Sequence, residues 1–285
     1  CFGVGVGGFL LGGGVGFDMR QHGLGCDRLQ QTQLVLASGD LIQANKQVNP
    51  DLFWACQGGG GGNFGVNTSF ELNVFPASNH VMFKLNWESV SDDFLVHLFK
   101  TLQQAPRGLG DQVYLQQGQS NSANNSAIDV YFFGHYQGST QELMDIIAPI
   151  MSKQTPTKQD IRLLPYWEAE RLLSDAGLPG YFRFRSRFIH GDIPAEMIAL
   201  TRNWLSKWNA KLGSGFVKFY HLGGAVNDVK PSDTAFVHRN SDWMIDISVL
   251  WQADLSPQSV QLAHDWQDTL YQPITRLAGG GVYQN

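Results

Sequence analysis

Glycine is concentrated in two short runs near the start of the chain. Ten of the first 25 residues are glycine, and a second run covers 58–62. Because glycine loses more backbone freedom on folding than any other residue, such density needs a compensating use. The usual one is a backbone that turns tightly and comes close to a flat or phosphorylated ligand. Two such runs in one segment predict a site for a large nucleotide cofactor.

The bulk composition indicates a globular chain. It has 285 residues, of which 43% are hydrophobic and 16% charged, with a net charge of -5. This length predicts a substantial core and about two domains. Lysine and arginine are scattered apart from Arg183, Arg185 and Arg187, so no nucleic-acid partner is expected. No apolar run approaches the ~18 residues of a membrane helix, so no membrane partner is expected either.

Cysteine and histidine spacing gives no sign of a metal site or a disulfide framework. The cysteines Cys1, Cys26 and Cys56 form no CxxC pair, and apolar neighbours predict that Cys26 and Cys56 are buried. The eight histidines occur in no HExxH or HxH spacing. No metal site is therefore expected.

Residue periodicity predicts a mixture of strands and helices. The first part of the chain shows a hairpin of strands 33–37 and 40–44, a helix start at Pro50 and a strand over 67–75. Further strands are predicted over 82–87, 127–136, 216–221 and 243–251, and helices over 92–104, 139–151, 195–207 and 257–277. Strands in meander-like order with covering helices predict an α+β fold.

The first glycine run also satisfies the GxGxxG pattern of dinucleotide-binding folds over 3–8. That pattern needs a strand before it and a helix after it, whereas 12–16 is poor helix material. A nicotinamide-dependent dehydrogenase is therefore the weaker alternative. A phosphate-binding P-loop is excluded, because no Gly-Lys-Ser/Thr follows.

Several motifs, taken in order, resemble one flavoprotein family. Those near the start and near the end are at 1–16, 21–27, 49–54, 59–66, 68–71, 223–226, 234–239 and 280–285. They resemble the berberine bridge enzyme-like FAD-linked oxidases, which are flavoproteins of the vanillyl-alcohol oxidase, or PCMH, type. The middle of the chain shows a looser resemblance.

The resemblance implies a domain organisation. Residues 1–78 would be the second part of a PCMH-type FAD-binding domain, and 79–278 a substrate domain with an antiparallel sheet covered by helices. Residues 279–285 would begin the return to the FAD domain. Since the chain opens inside a motif without methionine, the resemblance implies a fragment lacking the N-terminal FAD subdomain and the C-terminal tail.

The resemblance also implies how FAD is bound. Cys1 would bond covalently to carbon 6 of the flavin, and a histidine upstream would bond to its 8α methyl. The glycine-rich loops would supply backbone contacts from Val4, Gly5, Gly7, Gly8, Phe9, Gly12, Gly13, Gly16, Gly62, Asn63, Gly65 and Val66. For Asn63, a local turn-stabilising bond is an equal alternative. The chain departs from the family at Phe2, where Pro is common, at Phe9, where His is frequent, and at Gln57, where Arg is frequent.

The substrate site is expected on the strand 243–251. Asp246 lies between isoleucines there, so its side is either solvated or borders a polar pocket, because a buried carboxylate needs a partner. By resemblance to oligosaccharide oxidases, Asp246, Ser248 and Trp251 would contact the substrate, and Asp246 and Tyr283 would be catalytic. In those oxidases a tyrosine just past the motif of Tyr283 and Asn285 is the base.

The reaction implied by the resemblance is oxidation of an alcohol group of a carbohydrate or secondary metabolite. Hydride would pass to the flavin, and O2 would be the acceptor, giving H2O2. The alternative is a truncated or degenerate flavin-binding module without catalysis. The expected partners are a small-molecule substrate and O2, and the expected location is extracellular or periplasmic because many relatives are exported.

Overall fold

The glycine-rich part of the chain carries a small antiparallel sheet. The computed structural model describes residues 3–118, 127–174 and 180–284. Three strands, β1 (Leu29–Val35), β2 (Leu41–Asn45) and β3 (Val66–Leu72), lie in the order β2-β1-β3. Short helices α1 (Val6–Leu11) and α3 (Pro50–Ala55) pack beside them, whereas the short helix α2 (Met19–His22) packs against the larger sheet. Both glycine runs thus lie beside one sheet.

The predicted hairpin is confirmed, although its first strand begins four residues earlier and ends two residues earlier than predicted, and its second strand is shifted by one residue. Val35 pairs with Leu41, and the turn between them contains Gly39 at φ 89°. Glycine suits this position because other residues rarely adopt positive φ. The predicted helix start at Pro50 and the predicted strand over 67–75 correspond to α3 and β3.

A seven-stranded antiparallel sheet forms the larger part of the fold. Its order is β7-β4-β6-β5-β9-β10-β8. The strands are β4 (Asn79–Trp87), β5 (Leu109–Gln117), β6 (Ile128–Tyr136), β7 (Lys158–Pro165), β8 (Tyr181–Ile189), β9 (Ser214–His221) and β10 (Trp243–Trp251). Because side chains alternate along a strand, the sheet has two faces with different neighbours.

Four amphipathic helices cover one face, which we call the helix face. They are α4 (Asp92–Gln103), α5 (Thr140–Lys153), α7 (Ala195–Leu205) and α8 (Pro257–Ala278). Their apolar sides join alternate sheet residues such as Phe83, Val113 and Ile245 in the main core. Serine caps start α4, α5 and α8, where Ser91, Ser139 and Ser256 accept backbone N–H groups.

The opposite face is covered only in part. Helix α6 (Tyr166–Leu173) packs there beside Met82 and Phe133, and Lys84 Nζ donates to the carbonyl of Leu172 at 2.5 Å. The rest of this face, centred on β5, β9 and β10, we call the open face. It carries the side chains of Tyr114, Lys218 and Asp246, which pair across neighbouring strands.

The only cluster of arginines noted in the sequence is used inside the fold. Arg183 and Arg185 of β8 face α8, where both pair with Asp268. The guanidinium of Arg185 lies 3.6 Å from the centre of the Tyr271 ring. These contacts join the edge strand to the helix that covers it.

The predicted α+β class is confirmed, as are the predicted helices and strands beyond residue 81 with small shifts at their ends. Four elements of this region were not predicted: β5, β7, α6 and β8. The division at residues 78 and 278 stays a prediction. Among the described residues, no helix combines the length and apolarity needed to cross a membrane.

Candidate flavin and substrate site

The two glycine runs lie side by side. Gly60 N–H donates to the carbonyl of Leu11 at 2.8 Å, and a Cβ on Gly61 would lie 3.9 Å from the Cα of Gly8. A Cβ on Gly5, Gly8 or Gly62 would meet no atom within 4 Å. The runs therefore form a strip of backbone that borders open space.

One aromatic side chain fixes the inner side of this strip. A Cβ on Gly13 would lie 2.7 Å from the ring of Phe236, and one on Gly58 would overlap Phe236 itself. Phe236 N–H also donates to the carbonyl of Gln57 at 3.0 Å. The loop that carries Phe236 therefore depends on the absence of side chains at both glycines.

An ion pair holds the same loop to the glycine-rich segment. Arg239 is fully buried, and its two terminal nitrogens lie 2.8 and 2.6 Å from the two carboxylate oxygens of Asp27. Gln57 is buried nearby and its amide donates to the carbonyl of Cys26 at 3.2 Å. Gln57 thus acts as a structural residue at the position where it departs from the family.

Two of the three cysteines belong to the core, as predicted. Cys26 and Cys56 are buried free thiols. Burial raises the pKa of Cys26 to about 12, and the charge of Asp27 adds to that effect. Burial also raises the pKa of Cys56. Such thiols are poor nucleophiles. Cys1, the predicted flavin link, lies outside the described residues.

The end of the described chain connects the sheet to the glycine runs. Gly280 and Gly281 exchange backbone hydrogen bonds with Phe188 of β8. Tyr283 N–H donates to Ser186 Oγ at 2.9 Å, and the Tyr283 hydroxyl accepts from Val15 N–H at 3.4 Å. The Gln284 amide donates to the carbonyl of Gly58 at 2.6 Å. A cleft of about 180 Å³ lies among these segments.

Asp246 lies on the open face one strand away from this connection. Asp246 belongs to β10 and pairs with Ser186 of β8 on one side and with Lys218 of β9 on the other. Asp246 is only 7% exposed, and Ser248 Oγ donates to its carboxylate atom Oδ1 at 3.0 Å. Burial raises the pKa of Asp246 to about 6, although the bond from Ser248 and the charge of Lys218 oppose that rise. Asp246 itself is therefore not solvated, and the polar pocket beside it stays a prediction.

Aromatic rings surround Lys218 on the open face. The rings of Tyr114 and Phe216 stack with centroids 4.7 Å apart, and Lys218 Nζ lies 5.8 and 5.3 Å from their centres. On β8, Phe182 and Phe184 stack at 4.5 Å and are exposed. The open face therefore combines flat apolar surfaces with the cation of Lys218 and the carboxyl of Asp246.

The predicted site residues separate into three groups. Those of the glycine-rich loops, from Val4 to Gly16 and Gly62 to Val66, lie on or beside the backbone strip, and Asn63 donates to the carbonyl of Gly59 at 2.9 Å. Asp246 and Ser248 lie together on the open face. Trp251 lies on the helix face, where its ring meets His264 of α8.

Lys218, Tyr114 and Phe216 were not predicted as site residues. A signal for two of them was present, because Phe216, Lys218 and Tyr220 alternate along the predicted strand 216–221. The strand that contains Tyr114 was not predicted, so the sequence did not indicate that Tyr114 lies beside Lys218.

Comparisons with known proteins agree with this geometry. No family model matches the chain. The chain is 31% identical over 252 residues to the uncharacterized FAD-linked oxidoreductase YgaK of Bacillus subtilis, across 84% of this chain and 52% of that protein. It is 28% identical over 269 residues to berberine bridge enzyme-like 5 of Arabidopsis thaliana, across 88% of this chain and 50% of that protein.

A solved structure agrees as well. The glucooligosaccharide oxidase of Acremonium strictum, whose crystal structure reveals a novel flavinylation, superposes with a TM-score of 0.78 and 26% identity, across 99% of this chain and 62% of that one. The relatives and this solved structure are flavin-linked oxidoreductases. Within that class, the chain is homologous to the berberine bridge enzyme-like FAD-linked oxidoreductases. FAD, the predicted cofactor, is the cofactor of this family. The chain spans about half the length of the curated relatives it matches.

Proposed function

We propose that the protein is an FAD-dependent oxidase that converts an alcohol group of a carbohydrate or secondary metabolite to a carbonyl. The observation that carries this proposal is the buried carboxyl of Asp246 on the open face. Alcohol oxidation removes a hydride and a proton, and a carboxyl with a pKa of about 6 can take up or hold that proton near neutral pH. Asp246 is therefore the proposed proton-handling residue.

The backbone strip of the two glycine runs fits the cofactor. A flat ring system needs a surface without side chains, and the open space beside Gly5, Gly8 and Gly62 provides one. The covalent bond to carbon 6 is proposed for Cys1. The flavin held there would supply two-electron redox chemistry, with the substrate as hydride donor and O2 as the final acceptor, giving H2O2.

The segment around Tyr283 supports the proposed site by position. Its contacts reach Val15 of the first glycine run and Ser186 beside Asp246. We propose that Tyr283 acts in the catalytic region by holding these two surfaces at a fixed distance. A general base on a neighbouring residue would then depend on this anchor.

The open face supports a sugar or a similarly flat polyhydroxylated substrate. Aromatic rings present apolar surfaces while their edges and hydroxyls stay polar. Phe182 and Phe184 are exposed, and Asp246 with Ser248 supplies polar groups between them and β9. In the proposed complex, the rings pack against C–H faces and Ser248 binds a hydroxyl. Since Trp251 lies on the helix face, its contribution would be indirect.

Two experiments test the proposal. In the first, purified protein is precipitated with acid, and flavin absorbance in the pellet is measured for wild type and Cys1→Ala. Retained flavin that becomes extractable or shifts its spectrum in Cys1→Ala supports the covalent link. A colourless wild-type protein that takes up no FAD would contradict the proposed cofactor.

The second experiment measures peroxide from a panel of oligosaccharides and aromatic alcohols. We expect Asp246→Asn to lower kcat at least tenfold, while Ser248→Ala changes mainly KM. A protein that binds FAD but forms no peroxide and reduces no artificial acceptor would instead be the flavin-binding module without catalysis. Equal kcat in wild type and Asp246→Asn would remove Asp246 from the mechanism.

The proposal also includes an extracellular or periplasmic location. It rests on the resemblance to exported relatives. Fractionation of the source cells with an antibody against the protein would test it, and a signal confined to the cytoplasm would contradict it.

A further inference from the structure

A cluster of polar side chains is enclosed where the glycine-rich segment crosses the large sheet. Asp18 follows the first glycine run, His80 lies in β4, and His135 lies in β6. His80 and His135 are 1% and 0% exposed, and their rings stack with centroids 4.5 Å apart. One ligand atom from each of the three residues lies within 4.8 Å of the other two.

Four polar atoms in this cluster are buried without a hydrogen bond among the described residues. They are both ring nitrogens of His135, Nε2 of His80 and Oε1 of Glu170. His135 Nε2 is 3.2 Å from Asp18 Oδ1, and its Nδ1 is 3.1 Å from Glu170 Oε1. These are ion-pair distances, so the carboxylates already partner His135, whereas Nε2 of His80 is left without a hydrogen bond. A buried lone pair without a partner is unfavourable, so the cluster favours a ligand at His80 Nε2.

The outer contacts of the cluster orient its atoms as in metal sites. His80 Nδ1 donates to the carbonyl of Ser78 at 3.0 Å, so its Nε2 faces the cluster with a free lone pair. His135 has a carboxylate, Glu170, on the side away from Asp18. Asp18 Oδ2 accepts from the hydroxyl of Tyr166 at 2.8 Å. Metal-binding histidines commonly use their second nitrogen in this way.

Distance and charge both agree with a divalent cation. Two ligands about 2.0–2.1 Å from a tetrahedral zinc ion lie about 3.3 Å apart, close to the 3.2 Å between His135 and Asp18. The carboxylates of Asp18 and Glu170 flank the His135 ring on both sides, and a dication would neutralise both.

We propose that Asp18, His80 and His135 bind a zinc ion, with water as the fourth ligand. Two imidazoles and a carboxylate are a donor set that zinc prefers. The ion would join the glycine-rich segment to β4 and β6 and so hold the proposed cofactor surface against the substrate sheet. This site is separate from Asp246 and does not depend on the proposed reaction.

The test is zinc content after equilibrium dialysis of the purified full-length protein against buffered zinc, measured by mass spectrometry. Wild type is expected to retain about one zinc ion per chain. His80→Phe keeps the stacked ring but removes the ligand, and is expected to weaken zinc binding at least tenfold. Tyr166→Phe keeps all three ligands and is expected to weaken it less. His97→Phe, at a half-buried histidine on α4 away from the cluster, is the matched control.

A second measurement keeps the proposal testable if His80→Phe does not fold. Cobalt replaces zinc in wild type and Tyr166→Phe, and its electron paramagnetic resonance spectrum reports the ligand geometry. A tetrahedral signal that Tyr166→Phe alters supports the site. Absence of stoichiometric zinc in wild type, or equal binding by His80→Phe and His97→Phe, would overturn the proposal and leave a metal-free ion network.

Discussion

Arg239 and Asp27 form a two-point ion pair between positions 212 residues apart in the sequence. The Arg239 guanidinium also donates to the carbonyl of Phe236 at 3.1 Å and to Thr234 Oγ1 at 2.7 Å. One buried cation therefore fixes both ends of the loop whose Phe236 ring lies on Gly13. The shape of the proposed cofactor surface depends on this pair.

Replacing Arg239 by Met should lower the free energy of unfolding by about 3–5 kcal/mol, because Asp27 would keep a charge without its partner. Urea denaturation followed by circular dichroism measures the change. The matched control is Arg107→Met, whose partner Asp228 is equally close but more than half exposed. This variant should lose far less stability than Arg239→Met, because solvent screens the pair. Similar losses in the two variants would show that burial of the Arg239 pair has no special importance.

Substitution of Gly58 by Ala should destabilise the protein by about 2–4 kcal/mol. Part of the cost comes from its φ of 99° and part from overlap with Phe236. Gly39→Ala separates the two causes, since Gly39 has φ 89° but open space around it, so only about 1–2 kcal/mol is expected. Thermal melting compares the variants. If Gly39→Ala proved as damaging as Gly58→Ala, overlap with Phe236 would not be the cause.

Asp246 should make the stability of the protein fall as pH rises from about 4 to about 6. In that window the native carboxyl, with its pKa of about 6, holds a proton that the unfolded carboxyl, near 3.8, has released. The native state therefore binds more protons, and the change amounts to about 3 kcal/mol at most. Denaturation of wild type and Asp246→Asn at several pH values measures it. Parallel curves for the two proteins would contradict the raised pKa.

Lys218→Met should move the acid limb of the activity profile to higher pH. The charge of Lys218 lowers the pKa of Asp246, so its loss raises that pKa and delays ionisation of the carboxyl. The measurement is kcat against pH under the peroxide assay, with Lys100→Met on the exposed side of α4 as control. If the acid limb of the Lys218→Met profile lay at the same pH as in wild type, Asp246 would not control that limb.

The sequence predicted elements well where one side of the element is uniformly apolar. Strand β10 alternates between a buried apolar side and Asp246, and its bounds were predicted without error. Strand β8 was missed because Arg183, Arg185 and Arg187 occupy its helix side, where a core residue is expected. Their partners, Asp268 and Tyr271, come more than 80 residues later, so the compensation is visible only in three dimensions.

The same limit applies to sites. The glycine runs carried a local pattern, which predicted a site for a large nucleotide cofactor, and the resemblance of several further motifs indicated the flavoprotein family. Asp18, His80 and His135 carry none, because pairing of β4 with β6 brings the histidines together. The expectation of no metal site rested on short-range spacing, which cannot detect ligands from three separate segments.

The strand order of the large sheet has a consequence for how the protein folds. Strands β4 to β7 come from residues 79–165 and strands β8 to β10 from 181–251, and the two groups meet only where β5 pairs with β9. Pairings distant in the sequence form slowly because a long loop must close first. Tyr114 and Lys218 face each other across this junction. We therefore expect each group to gain structure early and the proposed substrate surface to be completed in the last and slowest step.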